Sequence, residues 1–425
     1  MAGFSTNSLF AYSFRHSWLI LYLVLNILAT YIMLESGELI GDTQGEKFNE
    51  NAVVLSFLMV ACSYIFLLWP VFNFIYRIKV APRRFACSEE VIDERIGKIV
   101  LLLQCVFMAS NLMYGTSIAG AGDIKSGHGW TTIFVLLDPD FLFFIYYGIC
   151  RERRLFYPNV IVFTVSNLLR GWNGIFLFIL FFETCRSYRN GFLTVNKIAL
   201  ILILSITLYP IISSAKWAIR ANAFSNTSLV EMIPVVIDQL GSAEAKELIV
   251  GGMEQMVGRL QSVSLLADVM QRGSQLQRDF DANKFLPFWL EGLHGVVYDR
   301  LLLGNLFSGG ERMSVGVTYA EYLYGSLMGE GVGNAAISYP GWFFIAPYLI
   351  PFYIVYTISL GWMSIYLVKK ISGSESAKDM VWLAWLMYLL APWLGAMFKL
   401  IYSVFFFLVI KIALTKIPKL KIRFM

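Results

Sequence analysis

The chain has 425 residues, of which 57% are hydrophobic, 16% aromatic and only 15% charged, and its mean hydropathy is +0.64. That balance excludes a soluble globular domain and a disordered chain, and leaves a polytopic membrane protein. The net charge of +5 is spread over short loops and the tail, so it marks a cytoplasmic side and gives no reason to expect a nucleic-acid partner.

Arg15 and His16 precede the first apolar run, residues 17–34, and with no signal-peptide cleavage site behind it this run is expected to remain a span. The acidic GELIGDTQGEKFNEN that follows reads as external. Residues 52–76 return inward to Arg77, Lys79, Arg83, Arg84, Arg95 and Lys98, the strongest topological marker in the chain. Residues 97–119 go out, GAGDIKSGHGW is an external turn, and residues 130–150 come back. Arginines then flank the next apolar stretch on both sides, at 151, 153 and 154 and again at 186 and 189, which conflicts with a single crossing. A hairpin turning at Arg170-Gly171-Trp172-Asn173-Gly174 removes the conflict and places Arg170 near the outer face. A guanidinium there needs a partner, unless it snorkels to the surface or caps the rising helix.

Residues 195–214 form a further span, after which hydropathy drops over residues 215–339. Within this loop, 229–240 and 244–271 carry helical apolar spacing, with Ser242 as the N-cap of the second. Residues 285–303, FLPFWLEGLHGVVYDRLLL, are interrupted by Gly292 and Gly295 and read as an interfacial helix. A segment rich in Gly and Tyr, suited to bending around a ligand, leads into a span at 342–368. A basic turn with Lys369, Lys370 and Lys378 and a final pair at 381–396 and 400–414, broken near Pro392, precede the basic tail KIPKLKIRFM. The expectation is an all-α polytopic membrane protein of roughly ten transmembrane helices with both termini cytoplasmic. It divides into an N-terminal bundle (1–214), a large helical periplasmic loop (215–340) and C-terminal helices with a basic tail (341–425).

No Walker loop, dinucleotide fingerprint, HExxH or GxSxG occurs, and the five cysteines include no CxxC, so neither a zinc site nor a disulfide framework is expected. What remains is a set of arginines on one side: Arg170, Arg220, Arg259, Arg272, Arg300 and Arg312. Their planar forks match phosphate oxygens, and several together can hold a pyrophosphate leaving group; the plain alternative is that loop arginines solvate helix faces. A glycosyl transfer also needs a base. His294, the one histidine of the large loop, is the candidate, with Glu291 close by and Glu321 and Glu330 further on. Tyr319 and the other loop aromatics either stack on sugar rings or anchor the interface. Asp138-Pro139-Asp140 places two carboxylates in a span, for structural pairing or for ion coupling.

The hairpin SNLLRGWNG with Arg170 and Gly171, together with a large loop carrying GRLQSVS around Arg259, resembles the O-antigen polymerase (Wzy) family. The likeness is architectural: the serine does not directly precede Arg170 here. It implies a GT-C-like fold of the lipid-linked-sugar glycosyltransferases and an inverting, metal-independent transfer without cofactor. The partners it implies are an undecaprenyl-diphosphate-linked donor and acceptor, the bilayer of a bacterial inner membrane and a chain-length regulator. Arg170, Arg259 and His294 would be catalytic, with Arg220, Arg272, Arg300, Glu330 and Tyr319 binding substrate. An O-antigen ligase and a flippase or transporter of lipid-linked oligosaccharides are the rival readings.

Overall fold

A computed structural model of the chain describes residues 12–83, 89–114, 133–172, 174–194, 196–201, 258, 260–292, 314–324 and 335–416, with positions 203 and 234. Among these residues the chain is helical and contains no strand. Five helical stretches are long and apolar enough to cross a membrane: Arg15–Ser36, Glu50–Arg77, Glu89–Tyr114, Pro347–Ile371 and Leu394–Thr415. The protein is therefore an all-α membrane protein.

We number the helices in chain order. α1 is Arg15–Ser36. α2, Glu50–Phe66, begins at an Asn49 cap and runs through a π-turn that accommodates Pro70 into α3, Phe72–Arg77. α4 is Glu89–Tyr114, α5 Ile133–Leu136, α6 Pro139–Ile149, α7 Phe156–Leu169 and α8 Gly174–Arg189. After the long loop come α9 (Val263–Gln271), α10 (Gly273–Asp281), α11 (Val315–Tyr324), α12 (Trp342–Ile345) and α13 (Ile350–Ile371). α14 is Glu375–Ala384, capped by Ser374 and extended by a π-turn, and α15 is Leu394–Lys416, so the expected break near Pro392 is present.

Ion pairs fix which helix ends meet. Arg15 at the start of α1 donates to Glu375 (2.9 Å) at the start of α14 and forms an ion pair with Asp379 (3.0 Å) a turn further on, and Arg189 at the end of α8 reaches the same Asp379. Arg153, ahead of α7, pairs with Asp93 of α4 (3.0 Å), which Lys411 near the end of α15 also meets (3.3 Å). Lys369 closes α13 by donating to the carbonyls of Tyr76 and Ile78, both at 2.7 Å. This is the basic end of the bundle. At the opposite, distal end lie Asn49, Asp138, Arg170 and the first turns of α13 and α15.

Five of the roughly ten expected spans are matched by helices long enough to cross. α7 and α8, the arms of the expected hairpin, have 14 and 16 residues, and most of the expected span at 195–214 lies outside the described residues. Two expected spans are built differently. Residues 130–150 are not one helix: α5 stops, Asp138 accepts the Asp140 and Phe141 amides as an N-cap, and α6 restarts with Pro139 in its first turn. Asx-Pro is a helix start signal, and it outweighed the continuous apolar run. The two carboxylates consequently sit at a helix start at the distal end, not midway along a span. The span expected from residue 342 begins instead near Pro347, because Trp342–Ile345 is a separate buried turn.

The expected 244–271 helix is also interrupted. Gln261 and Ser262 are non-helical, and α9 starts behind them with its amides served by Gln261, whose Oε1 accepts from Ser264 N at 2.9 Å. Ser242, the expected cap, lies outside the described residues. α9 is buried on all sides and packs along α2 and α1. Ser262 N donates to Asn26 Oδ1 (3.0 Å), and Ser262 Oγ lies 2.6 Å from the Tyr22 hydroxyl. Asn26 is about 16 Å along an α1 of about 33 Å, so this part of the long loop re-enters the bundle to mid-depth. Beside it, Ser338 adopts φ 62°, ψ 154°, a region that costs a residue with a Cβ about 1–3 kcal/mol. Its hydroxyl lies next to that of Tyr64 but outside ordinary hydrogen-bond geometry. The expected interfacial helix at 285–303 is, over residues 285–292, extended chain with one 3₁₀ turn, and Phe285 and Phe288 are buried.

The re-entrant segment is entered through a glycine contact. A Cβ on Gly258 would fall 2.5 Å from the Gly41 Cα, so the two backbones pack directly. Gly258→Ala is expected to lower the melting temperature of the purified protein by several degrees. Gly373→Ala, where nothing lies within 4 Å, leaves it unchanged.

Candidate functional site at the distal end

α7 ends as its sequence dictates. Gly171 takes φ 73°, Trp172 N donates to Asn167 O (2.9 Å) and Gly171 N to Leu168 O (3.0 Å), the double closure that a glycine at this position permits. The turn holds Arg170 as the last residue before the bend, with its side chain 4% exposed. Nη2 donates to Asp140 Oδ2 at 2.7 Å, Nε donates to Ser166 O at 3.2 Å, and the guanidinium lies 4.8 Å from the Phe107 ring centroid. Arg170 is thus partnered and does not snorkel. Asn167 Nδ2 approaches Asp140 Oδ1 at 3.4 Å. Lys399, near the start of α15 and 45% exposed, meets Asp138 Oδ2 at 3.5 Å. Two cations and two carboxylates therefore meet where α6, α7 and α15 converge, and their formal charges cancel.

On the same first turns of α15, a Cβ placed on Gly395 would fall 4.0 Å from the Gly292 backbone, so this helix start faces the stretch that carries a second group of polar side chains. Glu291 is 6% exposed, and its Oε1 has no hydrogen-bond partner among the described residues. Its carboxyl accepts from the Val315 backbone and lies within electrostatic range of the Tyr353 and Tyr356 hydroxyls, which are likewise buried without partners. Phe288 locks this arrangement, its ring centroid 4.9 Å from Tyr353 and 5.4 Å from both Tyr356 and Phe352. Burial pushes the Glu291 carboxyl up to about 8, only partly offset by the Val315 amide.

The structure brings together two of the expected substrate-binding residues. Tyr319 donates to Asp268 Oδ2 at 2.7 Å, Arg272 Nε bonds both Asp268 oxygens at 2.9 Å, and Arg272 Nη2 reaches Glu46 at 3.1 Å. Arg272 is 25% exposed and already engaged by two carboxylates. This grouping sits on α9 and α11 and is separate from Arg170. Arg220, Arg259, His294, Arg300, Arg312 and Glu330 lie outside the described residues. Among the described residues no group of His, Cys, Asp or Glu is placed to hold a metal ion. Sequence reasoning passed over Lys399, although a lone lysine opening the last apolar stretch was a visible signal. It also passed over Asp268, whose importance comes from partners far away in sequence.

Comparison with known proteins finds no matching family model and no similar curated protein or solved structure.

Breaking a buried ion pair strands a charge in a poor solvent. Asp140→Asn is expected to destabilise the protein by about 3 kcal/mol in detergent unfolding, and Arg170→Met by a similar amount. The double variant should lose clearly less than the sum, because neither charge is left alone. The raised Glu291 pKa has its own consequence. The native carboxyl keeps its proton up to about pH 8, whereas the unfolded one loses it near 4.5, so its contribution to stability is present below about 4.5 and is lost as pH rises toward 8. Glu291→Gln should therefore melt higher than wild type at pH 8, with the gap closing toward pH 4.5. Equal gaps at both pH values would mean that Glu291 is ionised in the fold.

Proposed function

We propose that the chain is a membrane-embedded glycosyltransferase that polymerises lipid-diphosphate-linked oligosaccharide repeat units, with ten spans and its distal end facing the extracytoplasmic side. The charge bias at the basic end supports that orientation, since cytoplasmic loops favour Lys and Arg. The observation that carries the reading is Arg170: a permanently charged planar donor fixed in the bundle wall, with the half-exposed Lys399 across from it. The 3.5 Å contact between Lys399 and Asp138 is loose enough for a diphosphate to take over the ammonium while Arg170 stays held by Asp140. A cationic pair so placed stabilises the charge that develops on a departing lipid diphosphate. A lipid-borne substrate would meet this site from within the bilayer, which fits a site set in the bundle wall.

A second reading, transport of lipid-linked oligosaccharide, is favoured by one feature, the broken helix at Asp138-Pro139, since discontinuous helices line the substrate sites of transporters.

The test is reconstitution in liposomes with a diphospholipid-linked repeat unit, without nucleotide. Wild type is expected to give a glycan ladder, and a folded Arg170→Ala variant should lose at least about 10²-fold in rate, with Arg170→Lys intermediate. Transbilayer movement of the lipid-linked sugar without a ladder would overturn the polymerase in favour of the transporter. A single transferred product would point to a ligase.

A further inference from the structure

The group around Glu291 has no part in holding a diphosphate, yet its composition is specific. Three buried oxygens, Glu291 Oε1 and the Tyr353 and Tyr356 hydroxyls, have no hydrogen-bond partner among the described residues. A buried polar group left unpaired costs about 1–3 kcal/mol, so three in one place are hard to explain as packing. Their surroundings are aromatic: Phe288 and Phe352 with centroids 5.4 Å apart, Trp289 5.5 Å from Phe352, and Phe398 6.2 Å from Tyr356. Hydroxyl-bonding oxygens among aromatic faces are the chemistry that recognises a polyhydroxylated ring, since sugar hydroxyls pair with the oxygens and the apolar ring faces lie on the aromatics.

Position adds to composition. Gly395, Phe398 and Lys399 lie on the first turns of α15: Gly395 faces the Gly292 backbone, Phe398 meets the Tyr356 ring, and Lys399 meets Asp138 of the Arg170 cluster. The Glu291 group and the cationic pair are thus two sides of one helix start. Among the described residues the Val315 amide is the one group that stabilises the charged form of Glu291.

We propose that Glu291, Tyr353 and Tyr356 form the acceptor-sugar subsite, and that Glu291 takes the proton of the attacking hydroxyl. This rests on the polymerase reading. In the step, the acceptor O–H proton passes to the Glu291 carboxylate while the acceptor oxygen forms a bond to the anomeric carbon. The bond from that carbon to the diphosphate oxygen breaks, and its electron pair leaves with the lipid diphosphate, inverting the configuration. Tyr353 and Tyr356 bond neighbouring hydroxyls and set the attacking one. A carboxyl that titrates near the working pH is suited to this duty.

The experiment uses the full-length protein in liposomes with a diphospholipid-linked repeat unit, comparing wild type with Glu291→Gln, Glu291→Asp and Tyr356→Phe after a folding check. Glu291→Gln is expected to reduce kcat by about 10²–10⁴-fold, with Glu291→Asp partly restoring it. Tyr356→Phe should mainly raise the KM for the acceptor. The wild-type rate should climb with pH and level off above about pH 8, and that rise should be missing from the residual activity of Glu291→Gln. Ladders made equally well by Glu291→Gln, or a wild-type profile flat from pH 6 to 9, would overturn the subsite while leaving the polymerase standing. Absence of any glycan product from wild type would sink the polymerase reading and the subsite with it.

Discussion

The pairing of Arg170 with Asp140 is the constraint on which the distal end depends. An arginine cannot shed its charge, and in an apolar bundle it must be met by an anion or by backbone carbonyls. Meeting it requires that α6 begin where it does, so that Asp140 stands in its first turn, and that α7 end where it does, so that Arg170 stands in its last. Asp138-Pro139 supplies the first requirement and Gly171 the second. The same helix start brings Asp138 to Lys399 and so ties α15 into the arrangement. Two ion pairs at one helix start thereby tie the ends of three helices together.

The second organising feature is the return of the long loop into the bundle. α9 carries its polar break, Gln261-Ser262, to mid-depth, where the amide and hydroxyl of Ser262 meet Asn26 and Tyr22. Asn26 there is fully buried, and the Ser262 amide and hydroxyl and the Tyr22 hydroxyl all find protein partners, as a low-dielectric interior demands. Further toward the distal end, Asp268 gathers Tyr319 and Arg272, linking α9 to α11. The loop is therefore part of the scaffold that positions Glu291, which lies in the stretch following α10.

The five long membrane-crossing helices were legible in the sequence because long apolar runs and clustered Lys and Arg leave few alternatives. Arg170 was legible too, because arginines on both sides of one apolar stretch cannot belong to a single crossing. The break at Asp138 was written in an Asx-Pro start signal, but apolar residues on both sides concealed it. The burial of α9 was not legible: VSLLADVMQR alternates apolar and charged residues as a surface helix would, and only the distant partners Tyr319, Glu46 and Asn26 make it an interior one. Glu291 was seen as a neighbour of His294, but its isolation among aromatics arises from α13 and α15, whose approach no local pattern encodes.

The central claim is that the first turns of α15 separate a diphosphate site from an acceptor site. The most direct measurement is a cryo-EM map of the wild-type protein in lipid nanodiscs with undecaprenyl diphosphate added. Diphosphate density within hydrogen-bond reach of Arg170 and Lys399, with Glu291 on the neighbouring face of α15, is the expected result. Diphosphate bound elsewhere, with Lys399 still on Asp138, would contradict it.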